Sequence, residues 1–509
     1  MSVCEVVVVG AGVGGLSVAV RLAARGYQVT VCEQADTVGG KLGRFERDGF
    51  RFDTGPSLLT LPSVLFDTLT ASGLTESAVR ELLPLRRLDP IARYRFADGT
   101  WWDHPADETS LLAACETLSI GSGQQMKSLL RRSEAMWNSS KGPFLESPLS
   151  GAGTLVRQAV RVRDLRTIAP HRTLRSLGRS TFADPRLVQF LDRYATYSGS
   201  DPRQAPAVLA SILWAERSEG AWYLDGGLRG IADVLLHRCV ALGIDVRLNT
   251  DVVAITTRNG RADGVDLLNG DHLRADVVVA NADATHLYTD LVPGTPGKAG
   301  LRSVTRSEPS LSGFVLCLAV DRTRRSDHAG KAVNAPQLPP LGHHTVLFPS
   351  VYDGEFDALF GDLRRPIEDP AIYLSIPTDR AVAPPGCEAW FVLVNAPGQG
   401  DVDWTRPGFA QSEADRILSI MARRGVDVRP HVRFSEIRTP HDLEVRTRAH
   451  GGSIYGTSSN GPVAAFLRPK NQSPLPGLFL VGGSAHPGGG LPLVQLSAKI
   501  VANLIGTVN

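Results

Sequence analysis

Apolar residues fall along this chain in two rhythms, and the first thirty positions show both. The continuous run Val6 to Val9 is apolar on both faces, which suits a strand buried inside a parallel sheet. After a glycine turn, Leu16, Val20 and Ala23 recur at helical spacing, Gly26 stops the helix, and Val29 to Cys32 form a second strand. This predicts one compact βαβ unit. The same style returns in GGLRGIADVLLHRCVALGIDVRLNTDVVAI, read as a glycine turn, an apolar helix and two short strands, and then in the buried strand of ADVVVANADA. It returns a last time in PGLFLVGGSAHPGGGLPLVQLSAKIVANLI, read as strand, glycine-rich turn and helix.

Between these stretches the rhythm changes. Residues 74–218 read as Arg-rich helical segments with loop signals at GSGQQ and SSKGPFLESPLSGAG. Residues 295–450 alternate strand-like runs (GFVLCLAV, TVLFPS, AIYLSIP, AWFVLVNA) with Pro/Gly loops and one helix, PGFAQSEADRILSIMARRG. The sequence therefore predicts a parallel-sheet domain in three pieces, 1–73, 219–294 and 451–509, interrupted by a helical region at 74–218 and a sheet region at 295–450.

Composition narrows the class. With 509 residues and 43% hydrophobic content, two or three folded units with sizeable cores are expected and dominant disorder is excluded. A net charge of +2 gives no global electrostatic reason to expect nucleic acid as a partner. The six cysteines stand singly, without CxxC spacing, so neither a disulfide scaffold nor a zinc site is expected. No apolar run approaches the roughly 18 residues of a membrane span, and no signal peptide opens the chain, so a cytoplasmic location, with peripheral association at a membrane, is expected. Residues 154–182 carry seven Arg against one acid, Asp164, with Leu and Val interleaved. Such a segment suits a helix in a lipid headgroup region or, equally, a solvated surface helix.

Gly10, Gly12 and Gly15 form GxGxxG between the first strand and its helix, with Gly14 inside the motif. The glycines permit a tight turn, close backbone approach to a pyrophosphate and close helix packing, while the helix N-terminus faces the anion. Glu33 ends the second strand 18 residues after Gly15, where a carboxylate accepts hydrogen bonds from ribose hydroxyls and repels a 2′-phosphate. NAD and FAD share this fingerprint, while NADP does not fit it. Further along come Gly39-Gly40-Lys41, Arg44 and Phe52-Asp53-Thr54-Gly55-Pro56.

These later glycines and basic residues resemble the extended fingerprint of FAD enzymes of the amine oxidase and phytoene desaturase superfamily. GLFLVGGSAHPGGGLPLVQLSAK, DRYATYSGSDPRQAPAVLASI, GAWYLDGGLRGI and VVVANADA resemble, in order along the whole chain, the bacterial phytoene desaturases and related carotenoid desaturases and oxidases. The resemblance implies an α/β fold: a discontinuous Rossmann-like FAD-binding domain with an inserted mixed α+β substrate domain. It implies FAD contacts at Gly10, Gly12, Gly14, Gly15, Glu33, Gly40, Lys41, Arg44, Gly55, Pro56, Val252, Gly483, Ser484, Gly490, Leu491 and Leu493. One departure is Ser484, which stands where many FAD enzymes carry an acid after the last glycine pair.

The resemblance further implies two-electron desaturation of a long acyclic isoprenoid, with oxygen or a quinone reoxidising the flavin and the substrate drawn from a membrane surface. Terminal-methyl oxidation and polyene isomerisation are the enzymatic alternatives on this scaffold. A prenyl-protein binding module like the GDP-dissociation inhibitors is the alternative of another class. His486, in the turn expected to face the flavin, is a candidate proton acceptor or a shaper of that turn. Arg193, Tyr194 and Tyr197 share a helical face by their spacing and are either substrate-facing or, with Asp192, a buried aromatic pair beside a surface ion pair.

Overall fold

The computed structural model describes residues 4–149, 167–323, 337–462 and 464–508. A five-stranded parallel sheet runs Asp245–Arg247, Gln28–Cys32, Glu5–Val9, Val277–Ala280, Leu478–Leu480 in spatial order. Its strands come from three stretches far apart in sequence, as the recurring pattern implied. Glu5–Val9 lies at the centre of the sheet with Val6 to Val9 buried, which explains its unbroken apolar run. The helices Val13–Ala23, Gly230–Ala241 and Leu491–Ile505 pack together on one face, and their apolar residues merge with those of the sheet into one core. A three-stranded antiparallel sheet, Val252–Arg258, Arg261–Leu267 and His272–Arg274, lies against the other face.

The second architecture is a seven-stranded sheet ordered Val432–Arg438, Ser312–Asp321, Cys387–Ala396, Ile372–Ser375, His344–Leu347, Ala92–Arg95, Trp101–His104. Its last two strands come from the region that sequence rhythm reads as helical. They are short, and Tyr94 and Trp102 bury one face against Phe190 and Phe348, so their alternation spans too few residues to stand out. GSGQQ likewise reads as a loop but opens the long helix Ser122–Ser140, because Gly121 takes φ 86° and turns the chain into its first turn.

The helix Leu174–Thr181 lies within the basic segment of the sequence, and it packs on the helix Pro185–Thr196. Arg175 does not face solvent there. It is 8% exposed and its guanidinium bridges Asp192 at 2.5 Å and Asp353 at 2.6 Å. Asp192, read as one half of a possible surface pair, is 1% exposed for the same reason. The rest of that basic stretch, including Arg157 and Arg161, lies outside the described residues. Replacing Arg175 with Gln leaves the Asp192 carboxylate buried without its cation. The expected cost is about 3–5 kcal/mol in urea unfolding, the range for breaking one side of a buried pair; a change within 0.5 kcal/mol, ordinary for a surface site, would return Arg175 to the solvated face.

Candidate active site

The end of the central strand and the start of the next helix form the first wall of the site. Gly10 turns the chain with φ 97°, and the helix Val13–Ala23 begins at Gly12 with no side chain capping it. Its first-turn N–H groups therefore point past Gly12 without a side-chain acceptor, a ready anion site. Glu33 is 8% exposed beside this turn, and its carboxylate accepts from the Ala11 N–H at 2.7 Å and the Ala35 N–H at 3.0 Å. Two backbone donors fix the carboxylate and leave its remaining lone pairs for hydroxyl donors. Gly39 joins the turn through its N–H to the Ala11 carbonyl at 2.8 Å, which brings Gly40 against Gly12. Lys41 donates to the carbonyls of Ser453 at 2.7 Å and Ile454 at 3.0 Å, and burial holds its ammonium below the usual lysine range.

A cavity of about 450 Å³ opens from this turn and continues, without a break, to the seven-stranded sheet. Gly10, Gly12, Gly14, Glu33, Gly40, Lys41, Gly55, Pro56, Val252, Gly483, Ser484, Gly490 and Leu491 all line it. The Gly55–Pro56 loop is held by Asp53, whose carboxylate accepts from the Leu228 N–H at 2.6 Å and the Arg229 N–H at 3.1 Å. Burial pushes the Asp53 carboxyl up to about 6. Ser484 uses its hydroxyl oxygen to accept from the Ala284 N–H at 2.9 Å. Gly490 takes φ 107° at the start of the helix Leu491–Ile505, and a Cβ there would meet no atom within 4 Å, so its backbone faces open cavity.

Two lining residues have parts that sequence pattern does not assign, although Asn281 falls within the VVVANADA stretch. Asn281 donates its amide to the Val481 carbonyl at 3.0 Å and fills the space between the first and last glycine turns. Arg446 donates to the Thr54 hydroxyl at 3.0 Å and has no acidic partner among the described residues. Burial, with Arg438 and Arg229 nearby, pulls its guanidinium down to about 10, so an anion in the cavity would be welcome there.

Other expected residues lie off the cavity. Gly15 is packed under the turn, where a Cβ would come within 2.1 Å of the Gly10 carbonyl oxygen, so its task is helix packing. Arg44 turns outward to Asp233 at 3.3 Å and Glu46 at 3.6 Å. Leu493 faces away, whereas its neighbours Pro492 and Val494 line the wall. Tyr194 points into the core and gives its hydroxyl to Glu216 at 2.6 Å, but Arg193 and Tyr197 do reach the cavity. His486 is fully buried on the other side of its turn, edge-on to Phe144, and donates Nε2–H to the Ser147 carbonyl at 2.9 Å. Burial pushes its imidazole down to about 4, and it does not line the cavity, so from this position it shapes the turn.

An elongated dinucleotide suits this frame: ribose at Glu33, pyrophosphate at the uncapped helix end with Gly12, Gly14 and Gly40, and a flat ring system between Gly55–Pro56 and Gly490–Leu491. The open backbone at Gly490 and the uncapped N–H groups at Gly12 are the features such a molecule would fill. The model for flavin containing amine oxidoreductases matches residues 13–358. A 4,4'-diapolycopene oxygenase of Methylomonas sp is 33% identical over 98% of both chains, and a 1-hydroxycarotenoid 3,4-desaturase of Flavobacterium sp. (strain P99-3) is 32% identical over 99% of both. The chain belongs to the flavin-containing amine oxidoreductases, in their carotenoid desaturase and oxygenase group. Its cofactor is FAD, which when bound supplies a ring that accepts two electrons as a hydride. An oxidoreductase from Methanosarcina mazei has the same fold, with TM-score 0.66 at 19% identity over 98% of this chain and 100% of that one.

Two outcomes test this flavoprotein site. A Cβ at Gly12 would lie 2.6 Å from the Asn281 Oδ1, so Gly12→Val should displace Asn281 and the turn together, and the folded variant should carry no flavin absorbance. Stoichiometric flavin in that variant would remove Gly12 from the cofactor site. The second concerns His486, whose folded pKa lies below its unfolded value of about 6.5. Above that pH the ring is neutral in both states; below it the unfolded chain takes up a proton that the fold refuses, so its contribution to stability is lost as pH falls from about 6.5 toward 4. The stability of wild type relative to His486→Gln should therefore drop by about 2–3 kcal/mol across that window, as read by urea midpoints.

Proposed function

We propose that this flavoenzyme desaturates a long acyclic carotenoid, taking a hydride and a proton from adjacent carbons to leave a carbon–carbon double bond. The observation that carries this reading is the continuity of the cavity from the nucleotide turn to a wall of Ile91, Val315, Val346, Phe391 and Leu393. Val315, Val346, Phe391 and Leu393 come from three strands of the seven-stranded sheet and Ile91 from the turn before Ala92–Arg95, so a hydrocarbon chain can lie along this wall and shed its water. The residues hold and orient the chain, exclude water, and keep the reacting carbons beside the Gly55–Pro56 loop. Relatives named for carotenoid desaturation and for carotenoid oxygenation both support a polyene substrate. Oxygen or a quinone would take the electrons onward.

A carotenoid partitions into bilayers, so the reading includes docking at a membrane surface. Phe466 is 43% exposed and Leu467 36% exposed, with the Phe144 ring 5.2 Å from that of Phe466, an apolar patch suited to entering a headgroup layer. No described helix is long and apolar enough to cross a membrane.

Oxygenation is the second reading, favoured by the oxygenase named among the relatives. Product mass separates the two. Anaerobic mixing of flavin-loaded protein with acyclic carotenoids in liposomes should bleach the flavin and yield products lighter by two hydrogens per step. In a parallel reaction run in air, products that gain oxygen atoms would overturn desaturation, and products of unchanged mass in either reaction would make the enzyme an isomerase.

A further inference from the structure

Desaturation sheds a proton as well as a hydride, and few groups in the cavity can take it. The carboxylates among its described lining residues already serve other donors. Glu33 accepts from two backbone N–H groups, Asp251 from Arg448 at 2.6 Å, Asp283 from the Thr285 N–H at 2.9 Å and Asp442 from the Thr439 N–H at 2.7 Å. His286 is tied to Asp290 at 2.6 Å, and Lys41 to two carbonyls. Glu216 has one carboxylate oxygen buried without a partner, but it sits behind the wall, where its other oxygen accepts from Tyr194, and it does not line the cavity. His344 is the lining base that remains.

Strand pairing of His344 with Ser375 and of Val346 with Tyr373 puts His344, Val346 and Tyr373 on one face of the seven-stranded sheet, and all three line the cavity. The Tyr373 hydroxyl lies 2.8 Å from His344 Nδ1 and 2.6 Å from Ser57 Oγ. Ser57 immediately follows Gly55–Pro56, so this hydroxyl stands beside the loop that faces the flavin ring. His344 is 2% exposed and its Nε2 is buried without a partner. An unpaired buried ring nitrogen is destabilising, and packing alone gives no reason to place an imidazole there rather than an apolar ring. Burial, with the His343 ring 4.5 Å away, holds the His344 imidazole well below the usual histidine range, so the ring is neutral before reaction. The Arg193 guanidinium carbon lies 5.6 Å from the centre of the Tyr373 ring, and its charge favours release of the phenol proton.

We propose that Tyr373 and His344 form the proton-accepting pair of this site: the Tyr373 oxygen takes the proton from the carbon chain while its own hydroxyl proton passes to His344 Nδ1. Nδ1 then carries the lone pair and Nε2 the ring hydrogen before reaction. The electron pair of the broken C–H bond closes the new double bond as the neighbouring carbon gives up its hydride. The proton stays on the imidazole until the electrons pass to oxygen or a quinone, which takes it up. This rests on the desaturation reading above and supplies its base. A weak base is enough, because loss of hydride leaves the adjacent C–H strongly acidic and a neutral imidazole can then accept from it through the phenol.

The test mixes flavin-loaded protein anaerobically with an acyclic carotenoid in liposomes. Flavin bleaching should slow by about 10²-fold or more in His344→Ala and in Tyr373→Phe, the scale for losing a positioned base. Carotenoid binding, read from the shift of its own absorption before the flavin bleaches, should stay within about twofold of wild type. Added imidazole should restore the His344→Ala rate by about tenfold or more, whereas pyrazole, of the same shape but a far weaker base, should not. That contrast is one a packing role would not produce. Near-normal bleaching in either variant, absent rescue, or equal rescue by imidazole and pyrazole overturns the pair and leaves desaturation standing. Should His344→Ala hold no flavin, His344→Gln and Tyr373→Phe carry the test through rate and binding. If the wild type bleaches with no acyclic carotenoid, the desaturation reading itself falls and takes the pair with it.

Discussion

Five glycines, Gly10, Gly12, Gly14, Gly15 and Gly482, crowd the single residue Asn281, and a Cβ on any of them would lie within 2.3 to 3.4 Å of one of its atoms. Asn281 ends the strand Val277–Ala280, with its own N–H on the Val9 carbonyl and its side-chain amide on the Val481 carbonyl. Through it the first and last crossovers of the sheet are drawn to contact distance. The helix Val13–Ala23 can then lie against the helix Leu491–Ile505, and the two glycine turns open on the same cavity. Without that close approach the turn at Gly10 to Gly15 and the turn at Gly482 to Gly490 would face separate spaces.

The parts legible in the sequence are those whose cause is local. An unbroken valine run, a glycine triplet at fixed spacing and a carboxylate at the end of the next strand each act within about thirty residues, and each stands where its pattern placed it. Asn281 and Arg446 escaped because their meaning comes from partners far along the chain: Arg446 donates to Thr54, 392 residues away. His486 shows a different limit. A glycine-rich turn announces that the backbone bends, but which side of the bend meets the cavity depends on what fills the other side, here Phe144 and Ser147. Arg175 is the same lesson for charge, since an Arg-rich stretch reads as surface until a buried acid such as Asp192 is in place to receive one of its members.

The cavity joins two solvents' worth of chemistry. Near Glu33, Arg446 and the uncapped helix end it suits hydroxyls and phosphates; along the sheet it suits carbon. The Gly55–Pro56–Ser57 loop sits at the junction, braced from behind by Asp53, whose acceptance of the Leu228 and Arg229 N–H groups ties the loop to the glycine turn before the helix Gly230–Ala241. Those two hydrogen bonds fix the loop at the boundary between the polar and the apolar half of the cavity.

The order of strands in the parallel sheet has a consequence for how the protein is made. Its edge strand, Leu478–Leu480, and the turn bearing Gly490 lie far along the chain from the turn at Gly10 to Gly15, which leaves the ribosome well before them. At roughly 5–20 residues per second, the N-terminal half of the cradle waits tens of seconds for its counterpart. The central strand has no neighbour at the Val277–Ala280 position for much of that time, and Asn281 has no Val481 carbonyl to bind. Both halves of the cradle are therefore present together only once the chain has been made through Gly490, and a chain ending before Leu478 would carry one glycine turn without the other and leave the apolar strand Val277–Ala280 unpaired on one side.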